Sequence, residues 1–72
     1  MKDEKELRET KELAMRVKTL YNDALHLLAD AQKRKANHVV SENLSSAANR
    51  ASKALDSLKI TLAENGVFDE SL

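Results

Sequence analysis

Seventy-two residues make one small domain at most, and a chain this short buries only about 60% of the surface its unfolded form exposes. With no Cys, disulfides and thiolate metal sites are excluded, and two His argue against a structural zinc, so oligomerisation is the support left open. Lys and Arg number 12 and Asp and Glu number 12, so the signs cancel.

The opening "MKDEKELRETKE" is charged throughout, with no apolar stretch behind it to act as a signal segment. No run approaches the roughly 18 apolar residues of a membrane span. These features predict a soluble, cytoplasmic protein with no membrane contact. No Pro and one Gly, among abundant Ala, Leu, Lys and Glu, predict helix nearly everywhere.

The first predicted helix covers about residues 3–35. Its early turns carry Leu7 as the one large apolar group, with Glu4–Arg8 and Glu12–Arg16 as favourable (i, i+4) pairs. They read as an ion-paired overhang or a frayed end. From residue 13 a heptad pattern sets in. Leu13, Leu20 and Leu27 take position d, Val17, Ala24 and Ala31 take a, and Ala14, Tyr21 and Leu28 take e. Three apolar positions per heptad are wider than a two-strand seam and suit a bundle helix.

A second stripe has Leu44, Ala51 and Leu58 at a, Val40, Ala47 and Ala54 at d, and Ala48, Leu55 and Leu62 at e. The thirteen residues from Ala31 to Leu44 rotate it roughly 140° away from the first. One continuous helix would aim its halves at different partners, whereas a turn lets the stripes face each other. The turn is predicted at about 36–41. Lys33, Arg34 and Lys35 suit the carbonyl end of the first helix, Asn37 suits a left-handed C-terminal cap, Val39 and Val40 suit an extended link, and Ser41 suits an N-cap.

The second helix is predicted at about 42–64. Gly66 then sits at the left-handed position of a Schellman stop, with Val67 set to touch Leu62. Residues 65–72 form a short tail, folded back or loose.

The expected fold is an all-α antiparallel two-helix hairpin forming a single domain over residues 1–72. Its seam is Leu against Ala, and buried Ala contributes little beside the about 1.5–3 kcal/mol of a buried Leu. That weakness predicts a homodimer, two hairpins making a four-helix bundle. The candidate dimer or partner interface is Leu13, Val17, Leu20, Tyr21, Leu27, Leu28, Leu44, Leu55, Leu58 and Leu62. Two apolar residues fall off the stripes, Ile60 opposite its own stripe and Phe68 in the tail. They are either isolated exposed residues or a small patch for another protein.

Chemistry is sparse. Asp23, His26 and Asp30 share one side of a helix and could in principle hold a metal or orient an imidazole, but they lie away from the apolar stripe in screening water. They read as a surface ion-pair cluster. No Gly-rich phosphate cradle is present. The expectation is therefore no catalytic residue, no cofactor and no metal. Lys33, Arg34, Lys35 and His38 form a basic cluster with no aromatic beside it for base stacking. A helix end satisfying its dipole explains that cluster, and nucleic-acid binding is the alternative. The sequence reads as a non-enzymatic protein–protein interaction module working through its helix faces, with itself or another protein as partner.

Overall fold

A computed structural model describes residues 3–72 of the chain. Helix α1 spans Glu4–Lys33 and helix α2 spans His38–Glu64. They pack against each other as an antiparallel hairpin in a rod of 48 × 17 × 16 Å. Among the described residues no helix is long and apolar enough to cross a membrane.

Each helix end is set by local hydrogen bonding. Asp3 caps α1, its carboxylate accepting from the Lys5 N–H at 2.9 Å, with Glu4 and Glu6 in the first turn where the dipole favours acids. At the other end Ala36 N–H donates to Ala31 C=O at 2.9 Å and Lys35 N–H to Gln32 C=O at 3.2 Å. That is the Schellman pair. The residue that turns left-handed is Lys35, at φ 54°. The end of α2 repeats the motif: Val67 N–H donates to Leu62 C=O at 2.9 Å and Gly66 N–H to Ala63 C=O at 3.0 Å, with Gly66 at φ 78°. The second stop falls where the sequence places it.

The first turn of α2 does not. The connection occupies only residues 34–37, and α2 starts at His38 instead of about 42. Asn37 is the N-cap of α2, not the C-terminal cap of α1: its backbone is extended (φ −64°, ψ 158°) and its side chain accepts from Val40 N–H at 3.0 Å. Ser41 lies inside the helix, and Val39 and Val40 are helical. Asn serves either cap, and Val39 and Val40, both exposed, carry only a modest β-branched penalty in the helix.

The hairpin seam uses two of the three apolar columns. Ala14, Ala24, Ala31, Ala48, Ala51, Leu55 and Leu62 are buried, and every one of them is an a or e position. Leu62 is 2% exposed, and Leu7, Val17, Leu58, Val67 and Leu72 pack around the Ala14–Leu55–Leu62 cluster. Five alanines among seven buried residues let the two backbones approach closely. The large d residues are then left on the rim.

The early turns of α1 are neither an overhang nor frayed. Leu7 packs against the core, and the tail folds back beside it. Lys11 Nζ meets Asp69 Oδ2 at 2.8 Å, and Lys18 Nζ donates to the Ser71 carbonyl. Asp69 Oδ1 accepts from the Ser71 N–H at 2.9 Å and its hydroxyl at 2.6 Å.

Candidate functional site

The tail defines the back of the hairpin. Lys11 and Lys18, which hold it, lie on the b flank of α1. A shallow hollow on the same side is lined by Tyr21, Leu25 and Leu28 from α1 with Ser45, Ala48, Asn49 and Ser52 from α2. The b flanks of both helices therefore share the back face. The d columns share the opposite, front face, as antiparallel helices with matching heptads require.

On that front face the three leucines of α1 stand in one row and remain open. Leu13 is 47% exposed, Leu20 60% and Leu27 52%. Val40, Ala47 and Ala54 of α2 run beside them and are exposed too. The candidate interface residues thus divide. Leu55 and Leu62 are buried within the hairpin, Val17 and Leu58 pack against them, and Leu44, Tyr21 and Leu28 are half-buried. Leu13, Leu20 and Leu27 are the ones left available. Heptad spacing groups all three columns, and spacing alone does not say which two a single partner helix covers.

Ile60 and Phe68 come together at the open end of the hairpin. They line an apolar groove of about 330 Å³ with Leu62, Ala63, Val67 and Leu72, bordered by Lys59 and Asp69. Val67 and Leu72 turn inward, while Phe68 points out and is 81% exposed. Ala63 and Leu72 are apolar lining residues that the sequence did not single out, and in the tail no periodic signal marks Leu72. The H-bonds from Lys11 and Ser71 hold the Asp69 carboxyl well below the usual carboxylate range, with the Lys11 charge adding to them.

The basic residues sit at the far end. Lys33, Arg34 and Lys35 are exposed, but two of them have structural work. Arg34 is the C-cap, its Nε donating to Asp30 C=O at 3.3 Å, and Lys35 makes the left-handed turn. His38 Nε2 lies 3.0 Å from Glu42 Oε1, across one helical turn. The two aromatic residues, Tyr21 and Phe68, are on the back hollow and the end groove, so neither stacks beside these cations. Asp23, His26 and Asp30 are all exposed. Among the described residues no group of three His, Cys, Asp or Glu stands close enough to hold a metal ion.

Comparison with known family models, curated proteins and solved structures finds no significant match to this chain.

Proposed function

We propose that this chain is a non-enzymatic protein–protein interaction module that works through its front helix face. The observation that carries the reading is the row Leu13, Leu20 and Leu27, each about half exposed, beside Val40, Ala47 and Ala54. Scattered exposed leucines need no explanation, but a contiguous apolar strip on one face marks an interaction surface. Helix faces presenting residues at heptad spacing dock against other helices.

The test is recovery of partners by the full chain in two forms, native and Leu13→Ser/Leu27→Ser. Both sites are half exposed, so the double variant keeps its helical circular dichroism. Loss of a stoichiometric partner, or of self-association, supports the reading. Unchanged recovery by the folded double variant defeats it.

A nucleic-acid-binding regulator is the second reading, favoured by three adjacent cations, Lys33, Arg34 and Lys35, with no acid between residues 31 and 41. Phosphate contacts would make retention on RNA or DNA steeply salt-dependent. Such retention, abolished by neutralising those three cations together, would put this reading first.

A further inference from the structure

We infer that the partner of the front face is a second copy of this chain, stacked face to face with the two turns at opposite ends. This rests on the interaction-module reading and names its occupant. The chain exposes 5500 Å², while a compact monomer of 8.0 kDa exposes about 4,450 Å². The surplus is on the order of 1,000 Å², and a standard interface takes about 800 Å² from each partner. A rod with a seam made mostly of alanine leaves open about the area that one dimer interface closes. The front face is also self-complementary in kind, apolar along both helices, as a twofold contact requires.

Charge chooses the arrangement. The turn carries Lys33, Arg34 and Lys35 with no acid between residues 31 and 41. The open end without its back-side tail, residues 3–11 with 60–66, carries five acids and three cations. Turns at the same end would set the basic tips side by side. Turns at opposite ends lay each basic tip over the other copy's acidic end. Leu20 lies near the middle of the rod, because α1 runs Glu4–Lys33. A twofold axis there sets Leu20 on its own mate and Leu13 against the mate of Leu27. Arg16 then faces the mate of Asp23, twice. Glu9 faces the mate of Asp30, also twice, and because all four residues are exposed, water and salt weaken these like pairs and the Arg16–Asp23 pairs alike, so the charged ends and not the rims choose the arrangement. Along α2 the small Ala47 and Ala54 permit close approach.

The experiment is sedimentation equilibrium of the full chain over a wide concentration range, with Leu20→Asp, Ala47→Asp and Ile60→Asp alongside. Helical circular dichroism is read on each. The native chain is expected at twice the chain mass. Leu20→Asp and Ala47→Asp each change an exposed position, so each is expected to stay helical while its dissociation constant rises by roughly 100-fold or more, as unpaired carboxylates are forced into an apolar contact. Ile60→Asp is expected to leave the dimer unchanged. In a chain without cysteine, Leu20→Cys is expected to oxidise to a covalent dimer, because the axis passes beside it.

A native chain that stays monomeric overturns the inference. So does a Leu20→Asp or Ala47→Asp variant that dimerises like the native chain, or an Ile60→Asp variant that alone dissociates. A dimer in which Leu20→Cys fails to cross-link overturns the opposite-ends arrangement. A monomer whose Leu20→Asp variant loses a different protein removes self-pairing and leaves the interaction-module reading standing. A monomer whose variant loses nothing removes both.

Discussion

The front and back of this hairpin begin with the same problem and resolve it differently. A two-helix seam covers only part of an apolar stripe three columns wide. On the back, the chain supplies its own cover near the open end: the tail turns at Gly66, buries Val67 and Leu72 against the seam, and is tied down by Lys11 and Lys18. On the front none of the described residues crosses the leucine row. Where the cover is a local segment, a left-handed residue and two lysines suffice. Where the strip runs along both helices, one turn and two local ties do not cover it.

The largest expected effect separates seam from rim. Leu62→Ala removes a side chain that is 2% exposed at the centre of the core cluster, so it should cost about 2–4 kcal/mol. That is a large share of a small domain's stability, and urea titration followed by circular dichroism would register it. Leu20→Ala, at 60% exposure, should cost less than about 1 kcal/mol in dilute solution. If dimerisation buries Leu20, that cost grows with protein concentration. Equal costs for the two at every dilution would erase the distinction between seam and front face.

Next comes the hinge of the back cover. Gly66 holds φ 78°, and a Cβ there would meet nothing within 4 Å. Gly66→Ala should therefore cost about 1 kcal/mol from backbone strain alone. Amide exchange should quicken first in the tail. The end of α1 offers the converse. Lys35 holds the same left-handed position without being glycine, so Lys35→Gly should stabilise the hairpin by about 0.5–1 kcal/mol, visible as a raised thermal midpoint.

The smallest effect is on the ties. The Asp69 carboxyl, held low by its bonds to Lys11 and Ser71, binds its proton less readily folded than unfolded. Its contribution is complete above the ordinary carboxylate range, and it fades as pH falls from about 4 through the depressed value. Asp69→Asn should flatten that acid limb and loosen the tail, while the pH dependence of the native chain stays steeper. Stability against pH for the two chains checks the sign.

Much of this was legible in advance because it is local. Heptad columns, the need for a turn between stripes out of phase, and the Schellman stop at Gly66 all follow from spacing and cap chemistry within a few residues. Asn37 was harder, because the same side chain caps a helix at either end. Its role was settled when α2 extended back through Val40 and left four residues for the connection. The end groove was partly visible: Ile60 and Phe68 stood off the stripes and the stop at Gly66 set Val67 against Leu62, but no local signal marks Leu72.

The sequence by itself determined that this chain makes two amphipathic helices, where the second one stops, and that its apolar stripe is wider than one partner helix can cover. Only the tertiary structure decided which columns are covered. The alanines at a and e let the helices close on those columns. The d leucines stay on the rim because the d column lies to one side of an a/e seam, and a single partner helix covers only the two columns it faces.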